Sequence, residues 1–270
     1  MFFFNTLPYF IYIIINKHWN SELDFKIVYF CTTKKYATMI LCLETATPVC
    51  SVALNSACCT LAMRETEGQN AHSEKITNFI NEVMNEAGIG YSQLDAVAVS
   101  KGPGSYTGLR IGVSTAKGIC YAADLPLMAI DTLEAMAHGM KEKLGSQIGP
   151  DDILVPMIDA RRMEVYASVF DANLQKINDT EALVIDENAF EDLRKSHRLW
   201  LFGDGAPKLK KLFENQHNIC IVDGFRPSAA YMRLLAEQAL HKQQFVDVAY
   251  FEPFYLKDFI AGKPHVKGLG

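Results

Sequence analysis

The sequence predicts an α/β protein built from two similar halves. Two observations carry this. Short apolar strands alternate with amphipathic helical segments along most of the chain. One unit, strand–acid–turn–strand, also occurs twice: Ile40–Glu44 leading into Cys50–Leu54, and Ile153–Asp159 leading into Met163–Phe170. The 270 residues suit one large α/β domain or two of ordinary size. Hydrophobic residues are 49% and charged residues 21%, which excludes general disorder. A net charge of −5 leaves no basic excess to grip nucleic acid unaided, so any role near RNA needs a partner that supplies positive charge.

The first 38 residues differ from the rest. Met1–Ile15 is apolar, but it is short for a bilayer span and is interrupted by Asn5 and Pro8. It lacks the basic start and small-residue cleavage site of a signal peptide. Asn16–Thr38 has no clean period. Met39 stands directly before the strand ILCLE, so the reading favours Met39 as the true start over a membrane anchor, and expects residues 1–38, if made, to be loosely packed. The expected division is a leader at 1–38, one lobe at 39–145, a second at 151–250, and a tail at 251–270. The boundary falls in Lys141–Pro150, which is charged and without an apolar period.

Ile40–Glu44, Cys50–Leu54 and Cys58–Arg64 predict an antiparallel meander, with Cys58 and Cys59 on opposite strand faces. Ile76, Phe79, Ile80, Val83, Met84 and Ala87 recur at helical spacing, with Ser73 to cap the start and Gly88 the end. Leu94–Ser100 is a buried strand running into KGPGSYTGLRIG, and a helix follows over Gly108–Ala123. On it Gly108, Gly112 and Ala116 fall four apart and make a smooth face. Leu199–Phe202 and Ile219–Val222 read as strands. Pro207–Asn215 and Ser228–His241 read as helices, the latter with Tyr231, Leu234, Leu235 and Ala239 on one side. The seven cysteines are odd in number and contain no C-x-x-C, which points to reduced, buried thiols of a cytosolic protein.

Gly102, Gly104, Ser105, Thr107 and Gly108 lie between a strand and a helix, where backbone N–H groups and the helix dipole favour an anion. The spacing matches neither the dinucleotide fingerprint nor a P-loop. The other reading is a tight turn in which Ser105 or Thr107 caps the helix. Glu44, with Thr45 after it, and Asp159 end strands where a phosphotransferase would hold Mg²⁺; equally, each carboxylate could cap its own turn, the favoured reading for Glu44. Gly203 and Gly205 of GDGA could lie against a nucleotide. Arg161 and Arg162 could meet a phosphate or stand as a solvated hairpin tip. His72 heads its helix, but the place one turn on is Ile76, so no helical metal pair forms. H-E-x-x-H and G-x-S-x-G are both absent.

LETATPVCSVAL at Leu43–Leu54, His72–Ser73 and SKGPGSYTGLRIGVSTAKGI at Ser100–Ile119 resemble the TsaB (YeaZ) family. So do DTLEAMA at Asp131–Ala137, IDARRMEVYAS at Ile158–Ser168, GDGA and EPFYL. The resemblance runs from Met39 to about Lys257. It implies an actin/Hsp70/sugar-kinase-like fold of two ribonuclease-H-like lobes. It also implies a non-catalytic cytoplasmic subunit that acts with TsaD and the ATPase TsaE to place a threonylcarbamoyl group on the tRNA adenosine beside the anticodon. The catalytic paralogue carries a two-histidine metal motif, of which only His72 has a counterpart here. The resemblance further implies no metal and no cofactor in the isolated chain, ATP or ADP at the complex interface, tRNA contact only through the complex, and a homodimer without TsaD. The implied partner face comprises His72, Ile76, Phe79, Ile80 and Val83 on one helix. Gly108, Arg110, Ile111, Gly112, Thr115 and Ala116 supply it on the next. A small-molecule kinase of the same fold is the alternative, and a glycoprotease ranks last.

Overall fold

The computed structural model describes residues 10–17, 23–30, 38–68 and 70–257. In the leader, β1 (Phe10–Lys17) and β2 (Leu23–Phe30) pair antiparallel, Phe10 opposite Phe30 and Lys17 opposite Leu23. A strand thus occupies a stretch that showed no clean period; Leu23, Phe25 and Ile27 do alternate with Asp24 and Lys26. The remainder of the leader, and with it the expectation of loose packing there, lies outside the described residues.

The first lobe is a five-stranded sheet. Its strands are β3 (Ile40–Glu44), β4 (Val49–Asn55), β5 (Thr60–Glu67), β6 (Ala96–Gly102) and β7 (Leu127–Asp131), in the order β5-β4-β3-β6-β7. The first three strands form the expected meander, and β6 and β7 add parallel to it. Every residue of β3 is buried, so alternation divides it between two cores. Leu41 and Leu43 pack with Ile76, Ile80 and Val83 of α1 (Ala71–Ala87) and Val113 and Ala116 of α2 (Tyr106–Ala123). Ile40 and Cys42 face the opposite layer, which includes Ala135 of α3 (Thr132–Leu144).

The second lobe repeats the plan. Its strands are β8 (Ile153–Asp159), β9 (Glu164–Ala167), β10 (Phe170–Asp171), β11 (Glu181–Val184), β12 (Leu199–Phe202) and β13 (Ile219–Val222). The sheet order is β11-β9-β8-β12-β13, with β10 also on β8; α4 (Glu191–Arg194) precedes β12. In each half the first strand pairs antiparallel with the second, the second antiparallel with an edge strand (β5 in the first half, β11 in the second), and the last two strands add parallel on the other side. The fold is the expected actin/Hsp70/sugar-kinase-like pair of ribonuclease-H-like lobes. The chain then returns to the first lobe. Ala229, Met232, Leu235, Ala236 and Ala239, from a 3₁₀ turn at Ala229–Met232 and α5 (Arg233–His241), close the layer over Ile40 and Cys42.

Several local expectations are corrected. Cys58 and Cys59 sit in the bend before β5, not on opposite faces of a strand. α1 is capped by Asn70 in the left-handed conformation, and Ser73 lies inside its first turn, donating to the Asn70 carbonyl. Gly88 ends α1 with φ 66°, as expected. Pro207–Asn215 holds a 3₁₀ turn at Pro207–Leu209 instead of a helix. Leu234 points outward at 40% exposure. α3 enters the Lys141–Pro150 stretch as far as Leu144.

Candidate functional site

The strand-end acids serve their own turns. Glu44 is 1% exposed, and its Oε1 accepts the Ala46 N–H at 2.6 Å. Burial pushes its carboxyl up to about 7, against the lowering pull of the Ala46, Ser100 and Thr45 hydrogen bonds. Asp159 repeats the contact from an exposed position: its Oδ1 accepts the Arg161 N–H at 2.8 Å and Lys208 Nζ at 2.5 Å. Both acids therefore have the geometry of turn caps. Thr45 is fully buried, and its N–H donates to Ser100 Oγ at 3.2 Å.

The glycine turns after the fourth strand of each sheet match in the same way. Gly102 has φ 109° and Gly203 has φ 104°, values that favour glycine. A Cβ on Gly203 would meet the Met157 carbonyl oxygen at 2.1 Å, so GDGA closes on the end of β8. Gly205 donates to that same oxygen, and Asp204 Oδ1 accepts the Asp159 N–H at 3.1 Å. Burial raises the Asp204 carboxyl above its ordinary range. Arg161 and Arg162, both at positive φ, form the exposed tip of the β8–β9 hairpin.

In the first lobe the glycine loop closes on the β3–β4 turn. A Cβ on Gly104 would lie 2.2 Å from the Ala46 carbonyl oxygen, and one on Gly108 would lie 2.2 Å from that of Thr45. Ser105 N–H donates to the Ala46 carbonyl at 2.6 Å, and Ser105 Oγ caps α2 by accepting the Gly108 N–H at 3.2 Å. Thr107 is exposed in the first turn of α2. The glycines thus admit the chain's own backbone, which is what the tight-turn reading expects. His72 completes this hub: its Nε2 lies 2.8 Å from the Thr47 carbonyl, and burial holds its pKa below the ordinary value. Among the described residues no group of three or more His, Cys, Asp or Glu side chains is placed to hold a metal ion.

The tail covers the hub from outside. Phe254 N–H donates to the Lys101 carbonyl at 2.7 Å. The Tyr255 ring lies tilted against Tyr106, centroids 4.8 Å apart, and its hydroxyl accepts from Arg110 Nε at 3.2 Å, while the Arg110 guanidinium lies 4.2 Å over the Tyr106 ring. Lys257 pairs with Glu164 of the second lobe. EPFYL is legible as a motif, but nothing local in the sequence reveals these long-range partners.

The two stripes of the proposed partner face now separate. Ile76, Ile80 and Val83 are buried on the sheet, as are Gly108, Gly112 and Ala116; Gly112 faces Thr45 Oγ1. Gly108 and Gly112 receive Thr45 of the β3–β4 turn, and Gly108 also faces the His72 ring of α1. His72, Phe79, Ile111 and Thr115 are half-buried and Arg110 is exposed, so these alone of the set reach the surface. Beyond them, Tyr121 at the end of α2 is 87% exposed and Tyr250 is 84% exposed, near Val248. The sequence reading did not single out these two tyrosines.

The model for the family tRNA N6-adenosine threonylcarbamoyltransferase (TsaD) matches residues 66–250. The chain is 30% identical over 236 residues to the tRNA threonylcarbamoyladenosine biosynthesis protein TsaB of Haemophilus influenzae, covering 83% of this chain and 95% of that protein. It is 31% identical to the protein of the same name from Escherichia coli, covering 83% and 96%. Among solved structures, YeaZ from Pseudomonas aeruginosa shares the fold at a TM-score of 0.70 and 23% identity, over 81% of this chain and 100% of that one. With the duplicated lobes, the two closed glycine turns and a match along nearly the full length of these relatives, the chain belongs to the TsaB (YeaZ) family.

Proposed function

We propose that this chain is a non-catalytic subunit of the machinery that puts threonylcarbamoyl on the tRNA adenosine beside the anticodon, acting in the cytoplasm as scaffold and activator of TsaD, with TsaE. The carrying observation is the match over 83% of the chain to relatives named for tRNA threonylcarbamoyladenosine biosynthesis. The geometry supports the non-catalytic part. Glu44 is sealed in the sheet and bound to its own turn, and the His72 Nε2 is engaged by the Thr47 carbonyl. The acidic net charge supports tRNA contact only through the complex.

The partner face in this reading is the outer side of α1 and α2: Phe79, Arg110, Ile111 and Thr115, continuing to Tyr121. The same face would serve a homodimer when TsaD is absent, and ATP or ADP would belong to the complex interface. Depleting the protein should abolish the tRNA modification; unchanged modification would contradict the proposal. Phe79→Asp and Thr115→Arg should each weaken TsaD binding at least tenfold while circular dichroism stays native. A small-molecule kinase remains the second reading, favoured by the two-lobed fold alone. Calorimetry and turnover with Mg-ATP on the isolated chain separate the two.

A further inference from the structure

Cys58 and Cys59 stand apart from the other described thiols. Cys42, Cys50 and Cys120 are buried inside the first lobe, and Cys220 in β13 is partly exposed but has no cysteine beside it in sequence, whereas Cys58 and Cys59 are adjacent and both partly exposed in the bend between β4 and β5. Their sulfurs are 3.8 Å apart, and Ser56 Oγ lies 3.4 Å from the Cys58 sulfur. Both line a pocket of about 250 Å³ that also includes Thr60, Glu142, Tyr231 and Arg233. Small solutes can thus reach the pair from the surface.

We infer that Cys58 and Cys59 form a reversible oxidation site for small peroxides, closing to a disulfide between adjacent residues. In the first step one sulfur attacks a peroxide oxygen: an S–O bond forms, the O–O bond breaks, and water leaves from hydrogen peroxide. That sulfur becomes a sulfenic acid, oxidised by two electrons while the peroxide is reduced. The second thiol attacks it; the S–S bond forms, the S–O bond breaks, and a second water leaves. The neighbour is already in van der Waals reach, so closure outruns further oxidation. Adjacent α-carbons are about 3.8 Å apart, below the usual range of about 4.4–6.8 Å for disulfides, so the bridge is strained and easily reduced. Burial, then the Cys58 thiol, push the Cys59 thiol up, with Ser56 and Arg233 pulling the other way; the thiolate is the attacking form, so oxidation is slowed at neutral pH and speeds up as pH rises. The bend also ties α5 to the first-lobe sheet, since Arg233 Nη1 donates to the Ala57 carbonyl at 3.0 Å. Closing the ring acts directly on that junction.

The test uses the full chain and hydrogen peroxide. Remaining thiols are blocked under denaturing conditions, the sample is reduced with dithiothreitol, and newly freed thiols receive a heavy label located by tandem mass spectrometry. The expected result is heavy label on Cys58 and Cys59 together, on monomeric chain, with a several-fold loss of label at Cys59 in Cys58→Ser and at Cys58 in Cys59→Ser. Label at only one of the two, label spread over Cys42, Cys50, Cys120 or Cys220, disulfide-linked dimers, or irreversible sulfonic acid would each overturn the inference. So would the absence of reaction at peroxide excess.

Discussion

A single added methyl group discriminates sharply between glycines of α2. At Gly108 the new Cβ would sit 2.2 Å from the Thr45 carbonyl oxygen, a backbone atom that cannot swing aside. Gly108→Ala should lower stability by roughly 1–3 kcal/mol in urea unfolding. Gly118, ten residues along the same helix, meets nothing within 4 Å, and Gly118→Ala should stabilise by about 1 kcal/mol. Glu44 supplies a pH signature. Its carboxyl titrates at about 7 folded against 4.5 unfolded, so the folded state holds the proton more tightly between those values. The stability associated with this group is complete below pH 4.5 and falls as pH rises through 7. Glu44→Gln should remove that decline, which is on the order of 3 kcal/mol, and urea midpoints across pH 4–8 read it directly. The sequence shows that an acid ends each strand before a turn. It does not show that Glu44 is sealed while Asp159 stays exposed beside Lys208, because that depends on what packs over each turn.

At the scale of elements, most strands of both sheets are legible from apolar runs bounded by acids and turns, and α1 from its stripe of Ile76, Ile80 and Val83. β7, β11, α3 and the short α4 are not among the elements the sequence reading placed. α3 buries Leu133, Ala135, Met136, Ala137 and Met140, facing the first lobe through Ala135 and the second through Leu133 and Met136. A helix buried on more than one side shows no clean amphipathic stripe. The small-residue stripe on α2 has a related limit: spacing shows that Gly108, Gly112 and Ala116 share a face, but not that Thr45 and His72 approach its glycines. α3 depends on Asp131, whose Oδ1 accepts the N–H groups of Leu133 and Glu134 at 3.0 and 3.1 Å. Asp131→Ala should cost about 1 kcal/mol in thermal or urea unfolding, and Asp131→Asn should recover most of it.

For the whole molecule, the duplication is legible early as two strand–acid–turn–strand units, and it extends to sheet order, turn caps and the paired glycines at 102 and 203. The return of α5 to the first lobe and the tail that ties Tyr255 to Arg110 and Lys257 to Glu164 are contacts between distant residues that no local pattern encodes. No helix among the described residues is long and apolar enough to cross a membrane. The most direct test of this chain's proposed role is tRNA threonylcarbamoylation reconstituted from tRNA, an activated threonylcarbamoyl donor and purified TsaD and TsaE of the same cell, with and without this chain. The account predicts modification only when the chain is present, in proportion to it up to one copy per TsaD. Full-rate modification without it, or chemistry by the isolated chain, would contradict the account.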